Sequence, residues 1–434
     1  MSGGRAENRL GVGFSLHAEV EFLELTRSIV EDEVDYYEVA PEFLWRPRRE
    51  GGIEPNRYFE LFAELKRRSG RPFVAHGLAF SLGSDGEEDG ERERFALWCE
   101  GLRFCHAAFD FAWFSDHLGW VNAAGRNPVF PLPLPFTREA VERVATRLRA
   151  IAGIIPTVAF ENPGGFARLG PTELQAPFWN AIARAADGRL MLDLHNLHTE
   201  GLNLGFDPRE VLASLDLGRV VQIHLSGGSE SDPRWLASGR TMRLDSHDDG
   251  IPEEVWTLLE EVLPHCHGLR GVLVERLNGT LAEDDVPALR DEVRRARSIL
   301  AARRPAPPRE RKADAPLPEG GGLSALQRAV AERIADSDAF DDLLRAELPE
   351  AAREALSHLD AEGYRLTSLI VRKLRFERMC LVDTAFAERF ETEPEATIED
   401  WEAFVREVPH RAVFPHEDAQ AYHRWRAARA PSGD

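Results

Sequence analysis

Histidines and acidic residues in this chain gather at the ends of short apolar runs. Glu38 and Glu42 belong to one such end and His76 to the next; Asp116 with His117, Glu161 with Asn162, and Asp193 with His195 and Asn196 follow in order. His224 and Glu275 close two further runs, and the segment LDSHDDG between them supplies Asp245, His247, Asp248 and Asp249. Neutral imidazole and carboxylate are ligands for zinc, manganese and iron, and a cation offsets the repulsion among clustered carboxylates. The candidates outnumber what one tetrahedral ion can use, which points to two or three ions bridged by a carboxylate. Glu161, central in strand order, is the natural bridge. A single histidine such as His117 in FSDHLGW reads by itself as a hydrogen-bonded structural residue. The coincidence of His76, His117, His224 and His247 with four separate strand ends or the following loop carries the metal reading. His198, His265, His267 and His410 lack that coincidence and read as structural.

Residues so far apart in the chain meet only if the fold brings the ends of the runs together. The runs of strand length are GVGFS (11–15), DYYEVA (35–40), PFVAHG (72–77), FAWFSDH (111–117), TVAFEN (157–162), RLMLDL (189–194), VVQIHL (220–225) and GVLVER (271–276). Between them lie EVEFLELTRSIVED, NRYFELFAELKRRSG, TREAVERVATRLRAIAG and IPEEVWTLLEEVLPH, whose apolar residues recur at three and four as on one helix face. Apolar strands alternating with amphipathic helices predict an α/β fold, and eight such units close naturally into a (β/α)8 TIM barrel with its active site at the C-terminal strand ends. A doubly wound open sheet is the alternative, but GVGFSLHAE lacks the GxGxxG turn that a dinucleotide-binding version needs.

The barrel is expected over residues 10–303, ending with the helix ALRDEVRRARSILAARR. Residues 304–322, rich in Pro, Gly and charge, read as a linker. LSALQRAVAERIA, AFDDLLRAEL, RLTSLIVRKLRFERMCLVDTAFAERF and TIEDWEAFVREV then predict a small, mainly helical domain over 323–434. With 434 residues, 43% hydrophobic and 29% charged, the chain has room for such a second unit. A formal charge of −21 argues against a nucleic-acid partner. Cys99, Cys105, Cys266 and Cys380 show no CxxC pairing, MSGGRAENRLGVGF has no secretory pattern, and no apolar run reaches the roughly 20 residues of a membrane span. The expectation is a cytoplasmic protein with no membrane partner.

Other features take structural readings. The acidic stretch 84–93 reads as a solvated loop with a helix start, and Trp98, Phe104 and Phe109 as core aromatics. Gly164 and Gly165 read as turn glycines, and the arginines from Arg294 to Arg304 as a solvated helix end. In LDSHDDG, Asp245 and His247 are expected to reach one ion through a kinked loop, leaving Asp248 and Asp249 as solvent-facing turn residues. No GxSxG nucleophile or P-loop is present in the sequence.

The motifs YYEVAPEFL, AHGLAFSLGS, FSDHLGW, PLPLPFTREA, FENPGGF, LDLHNLHTEGLNLGFDP, QIHLSGGSE, LDSHDDGIPEEVW and LVERLNG, in this order over about residues 10–303, resemble the multinuclear non-haem iron-dependent oxidases, which include the methanobactin biosynthesis oxidase. The resemblance implies a TIM barrel holding two or three iron ions in mixed valence, with dioxygen as co-substrate. It carries metal roles onto His76, His117, Glu161, Asp193, Asn196, His224, Asp245, His247 and Glu275, with Glu161, Asp193 and His247 closest to catalysis. It further implies a precursor peptide as substrate, modified at Cys or at Asp or Asn, and a leader-binding partner protein, of which residues 323–434 are a candidate fused counterpart; a helical cap on the barrel is the plainer reading. Three positions depart from the family's pattern: His195 stands for an Asn, Ala40 for a His, and Gly228 for a His. A redox-silent zinc, manganese or magnesium isomerase or hydrolase, and a non-catalytic peptide-maturation factor, are the alternatives on the same residues.

Overall fold

The computed structural model describes residues 10–48, 50–88, 90–309 and 313–429. Eight parallel strands close into a barrel in chain order: β1 (Gly11–Leu16), β2 (Tyr36–Val39), β3 (Phe73–Gly77), β4 (Phe114–His117), β5 (Val158–Glu161), β6 (Arg189–Asp193), β7 (Val220–Leu225) and β8 (Gly271–Val274). They are the eight apolar runs, with ends that differ from the runs by three residues at most. Closure, with Gly11 paired to Gly271 and Gly13 to Tyr36, excludes the open doubly wound sheet. A small antiparallel hairpin of Trp45–Pro47 and Ile53–Pro55 follows β2 and was not expected. Three-residue strands are too short to carry a periodic signal.

Inside the barrel, Tyr36, Val74, Trp113, Ala159, Met191, Val221 and Leu273 form one buried apolar layer. Side chains alternate along a strand, so the residue two positions further also points inward. That rule sets Glu38, His76, Ser115, Glu161, Asp193 and Glu275 directly above the apolar layer, with His117 one step higher. β7 obeys it only through an irregularity: Leu190 pairs with Val220 but Met191 with Gln222, and the extra residue resets the alternation so that Gln222 and His224 face the axis. Gln222 forms the boundary between the layers, accepting from Trp113 Nε1 at 2.7 Å and donating to Glu38 Oε2 at 2.8 Å. Tyr36 fits on the axis because β1 has glycine at position 13; a Cβ there would lie 2.4 Å from the tyrosine ring.

The charged stretches are a partly exposed loop leading into a helix that starts at Glu91 and a partly exposed helix end, as expected, but each also ties the fold together. Glu91, in the acidic segment, is buried and binds Arg94 and Arg147, each at 2.7 Å. Arg294 reaches Glu33 at 2.6 Å, Arg295 pairs with Glu253, and Arg297 reaches Asp35 at 2.8 Å, fixing the helix Val286–Ala302 to neighbouring elements. Trp98 and Phe109 are buried as expected, while Phe104 is partly exposed.

Residues 313–322 form neither helix nor strand but lie along the barrel. Pro318 and Glu319 accept at their carbonyls from Arg138 N and Glu139 N, at 2.9 and 3.1 Å, and Asp314 binds Asn180 and Arg184. The region beyond is helical, beginning with Leu323–Arg333 and including the long helix Ala361–Val382. Leu323, Leu326, Val330, Tyr364 and Val371 join the same apolar core as the barrel and its helices. Farther out, Met379, Phe386, Trp401, Phe404 and Tyr422 make a separate core, with Arg375 bound by both oxygens of Asp418 at 2.7 and 2.8 Å.

The long helix presses on the mouth of the barrel. Leu366 is fully buried with Phe166, Leu236 and Met242 from the loops after β5 and β7, and a Cβ on Gly363 would lie 1.9 Å from the carbonyl oxygen of Phe166. In a free helix Gly→Ala gains about 1 kcal/mol. Gly363→Ala is therefore expected to lower thermal stability, by about 1–3 kcal/mol as an overpacking substitution, because the helix must lift from the loop. A melting temperature that rises on Gly363→Ala shows that the contact is not tight.

Candidate metal centre

Each inward strand end delivers its side chain in a fixed orientation. On β3, His76 Nδ1 lies 3.0 Å from Ser115 Oγ, leaving Nε2 to face Glu161 Oε2 at 3.4 Å. His117 Nε2 approaches the same oxygen at 3.1 Å. Asp193 ends β6 and caps the helix Leu194–Leu204: Oδ1 accepts from Asn196 N at 2.7 Å, a cap of about 1 kcal/mol, while Oδ2 has no hydrogen-bond partner. Asn162 grips the backbone of Asp193 from both sides, accepting from its N–H at 2.8 Å and donating to its carbonyl at 2.9 Å. Asn196 Nδ2 donates to Glu161 Oε1 at 3.3 Å.

The opposite side is built around His224. Its Nε2 lies 3.2 Å from Glu38 Oε2 and its Nδ1 3.0 Å from Glu275 Oε2. His247 has φ of +49°, the kink anticipated for LDSHDDG; its Nε2 is 2.6 Å from Asp245 Oδ1 and its Nδ1 3.7 Å from Glu275 Oε1. Asp248 is not solvent-facing: it accepts from Ser229 N at 2.9 Å and Ser246 Oγ at 2.7 Å, binding the loop to the segment after β7. Asp249 is exposed and binds Gly250 N.

Four triads have ligand atoms within 4.8 Å of one another: His76, His117 and Glu161; Glu161, Asp193 and His224; Glu38, His224 and Glu275; and Asp193, His247 and Glu275. Each shares a residue with another, so the donor set is continuous. Of the residues anticipated from sequence, Asn196 and Asp245 touch this set through Glu161 and His247 rather than lying within a triad. Glu38, one of the strand-end carboxylates read from sequence, lies within one. His17, just after β1, was not anticipated; it is partly buried and feels the charges of Glu275 and His247. The alternation that places Gly13 inward also places His17 there, and was the signal available to find it. Asp116, one residue out of phase with His117, faces away from the axis. It is buried near Glu42, whose Oε1 accepts from Leu78 N and Ala79 N at 2.7 and 3.0 Å.

At position 228 a Cβ would lie 2.1 Å from Leu244 O and 3.1 Å from His195 Cε1, so the chain passes His195 closely there. His195 Nδ1 is 3.7 Å from Asp245 Oδ1. Gly164 is more than a turn glycine, since a Cβ there would strike Asn196 Oδ1 at 2.4 Å and approach Asp245 Cβ at 3.1 Å.

Electrostatics divides the centre into two halves. Burial, reinforced by Asp193, pushes the Glu161 carboxyl well above the usual range, and burial with the charge of Asp245 raises Asp193 to about 6. Burial lowers His76 and His117, so both offer neutral imidazole. In the other half burial also disfavours charge, but pairing overrides it. Glu38 and Glu275 hold His224 well above its ordinary value, and Asp245 and Glu275 raise His247 to about 10. Despite burial, His247 keeps Asp245 and, with His224, Glu275 well below the ordinary range. Protons thus stand where cations would neutralise the carboxylates, and the unpartnered Glu161 Oε2, Asp193 Oδ2 and Asn196 Oδ1, all buried, fit a divalent ion at this place.

These features define a parallel (β/α)8 barrel with a buried oxygen and nitrogen donor centre at its C-terminal mouth. Residues 9–301 match the family of RiPP precursor modification enzymes MbnB/TglH/ChrH, and the chain belongs to that family. It is 32% identical over 300 residues to a UPF0276 protein of Anaeromyxobacter sp. (strain Fw109-5), covering 68% of this chain and 94% of that one. It is 30% identical over 274 residues to a UPF0276 protein of Rhizorhabdus wittichii, covering 62% and 87%. Among solved structures, a zinc-bound IolI protein aligns with a TM-score of 0.42 at 13% identity, covering 67% of this chain and 98% of that one. No helix among the described residues is long and apolar enough to cross a membrane.

Two outcomes follow from the shared carboxylate and from the protons. Glu161→Gln keeps the volume but removes the charge common to two triads, and is expected to lower metal content by at least one ion per chain as measured by elemental analysis; unchanged stoichiometry removes Glu161 as a bridge. Protons compete with metal for Glu161 and for Asp193, whose pKa is about 6, so metal retention is expected to fall between about pH 8 and about pH 5. Equal retention across that interval, after dialysis against chelator, contradicts this assignment.

Proposed function

We propose that the chain is a multinuclear non-haem iron-dependent oxidase that uses dioxygen to modify Cys, or Asp or Asn, in a ribosomally synthesised precursor peptide. The observation that carries this reading is the continuity of the four triads through shared Glu161, His224, Asp193 and Glu275, an arrangement that suits adjacent, bridged ions better than a single one. His76, His117, Glu161, Asp193, Asn196, His224, Asp245, His247 and Glu275 are the proposed metal-binding set, joined by Glu38. The donors are carboxylate and imidazole without thiolate, a set that suits iron as well as manganese or zinc. Bound iron supplies one-electron transfer and an open position for dioxygen.

The chain's own residues do the positioning. Ser115 orients His76, the helix cap orients Asp193, and Asp245 holds His247 through Nε2 so that Nδ1 turns toward Glu275 and Asp193. Such outer hydrogen bonds fix ring orientation and raise ligand basicity. A cavity of about 220 Å³ opens beside the centre, with His117 and Asp245 on one wall and Thr367 and Leu374 of the long C-terminal helix on another. We infer a barrel over 10–303, a connecting segment over 304–322 and a helical unit from 323 that helps to enclose the substrate, doing in cis part of what a separate partner would do.

The deciding experiment is to purify the protein anaerobically, measure its metals, and incubate it with a precursor peptide from the neighbouring coding sequence. A mass change that requires both iron and dioxygen is expected. Equal conversion by zinc-loaded protein without dioxygen identifies the redox-silent alternative, and unaltered peptide mass with full iron loading identifies a non-catalytic maturation factor.

A further inference from the structure

The cavity beside the metal centre is lined mainly by apolar side chains, among them Leu78, Phe130 and Leu374, yet one part of its wall carries Arg168, Gln175 and Glu200. The segment from Pro163 to Arg168 runs along that wall. Gly164 lies against Asn196 and Asp245 of the centre, Gly165 against Glu200, and Arg168 follows three residues on. Four residues from Gly164 to Arg168 span at most about 14 Å, so a group held by Arg168 and an atom reacting at the centre belong to the same short stretch of substrate.

Arg168 is incompletely satisfied. Its side chain is only 14% exposed; Nε donates to Gly170 O at 2.9 Å, Nη1 lies 3.4 Å from Gln175 Oε1, and its guanidinium stands over Phe206. The carboxylate beside it, Glu200, faces it through Oε1 at 3.8 Å with no hydrogen bond between them, and its Oε2 accepts from Gln175 Nε2. Nη2 donates to no described residue. A buried ion pair offsets its desolvation only with good geometry and full hydrogen bonding, and a guanidinium is at its best when a carboxylate meets it through two parallel bonds. Burial raises Glu200 to about 7, which leaves Arg168 the more persistent charge of the two.

We propose that this part of the cavity is a carboxylate-recognition subsite: Arg168 takes a carboxylate of the peptide substrate, its chain terminus or an acidic side chain, while Gly170 O, Gln175 and the ring of Phe206 hold the guanidinium in place. The inference rests on the barrel mouth being the reaction site and adds the substrate chemistry that site selects. The apolar wall accommodates the neighbouring side chain, and the carboxylate fixes which residue is presented to the centre.

The test uses the metal-loaded full chain and three probes in calorimetric titrations: N-acetyl-leucine, N-acetyl-leucinamide, and N-acetyl-aspartamide, which carries its carboxylate on the side chain. One of the two acids is expected to bind better than the leucinamide and to lose about tenfold or more of its affinity in Arg168→Gln, the magnitude of a charge-assisted hydrogen bond. Which acid does so tells chain terminus from side chain. Leucinamide binding stays unchanged. Glu200→Gln, which removes the competing carboxylate, is expected to strengthen acid binding, and covers the case in which Arg168→Gln does not fold. Acids that bind no better than the amide, acids unaffected by Arg168→Gln because the metal alone holds them, or acid binding weakened by Glu200→Gln each overturn the subsite. None of these affinities depends on turnover, so iron content and precursor mass test the underlying reading separately.

Discussion

The structure depends on keeping Glu38, Glu161, Asp193, Asp245 and Glu275 together in one barrel mouth where little water reaches them. Charges taken out of water lose several kcal/mol of solvation each, and like charges a few ångströms apart add to that cost. The chain answers with imidazoles in register with the carboxylates: His224 between Glu38 and Glu275, His247 against Asp245, and His76 with His117 on Glu161. Flanking carboxylates bias His224 and His247 towards the protonated form, whereas burial biases His76 and His117 towards neutral imidazole and Glu161 towards the neutral acid. A cation bound here would take over from those protons in offsetting the carboxylates.

The scaffold makes that balance rigid. Below the centre lies the buried layer of Tyr36 and Trp113, and Gln222 joins both of them to Glu38 by hydrogen bonds. Above, the β5 and β6 ends are fastened by backbone contacts that leave a functional atom free. Asp193 uses one oxygen for its helix and keeps the other for the centre; Asn162 locks the β5 and β6 ends together without spending an atom of Asp193's side chain. Such preorganisation on strands and helix starts gives the donors less freedom than a loop would allow.

The C-terminal helices turn an open mouth into a cavity. Helix Ala361–Val382 rests on the loops after β5 and β7 through Leu366 and Gly363, and brings Thr367 and Leu374 to the cavity wall. The family match ends at residue 301, so these walls are supplied by a part of the chain outside the matched region. The cavity is thus walled jointly by the barrel and by the helices that follow it.

Sequence alone determined the eight strands, the barrel that they form and most of the polar residues that converge at its mouth, because period-two and period-three-to-four patterns report which face is buried and the C-terminal strand ends of such a barrel converge. It also carried the kink at His247 and the helical character of the C-terminal region. What it left to tertiary structure was phase and depth. Asp116 and His117 are adjacent in sequence, yet only one faces the axis; His224 faces it because an irregularity between β6 and β7 shifts the alternation by one residue, which no pattern in VVQIHL announces. Glu91, Asp248 and the arginines of the last barrel helix read as solvated because composition reports polarity, whereas their burial or pairing is set by partners remote in the chain. Arg168 and Glu200 were silent for the same reason: one lies in a loop and the other in a helix, and only the closing of the barrel by a helix from beyond residue 360 makes them walls of one cavity.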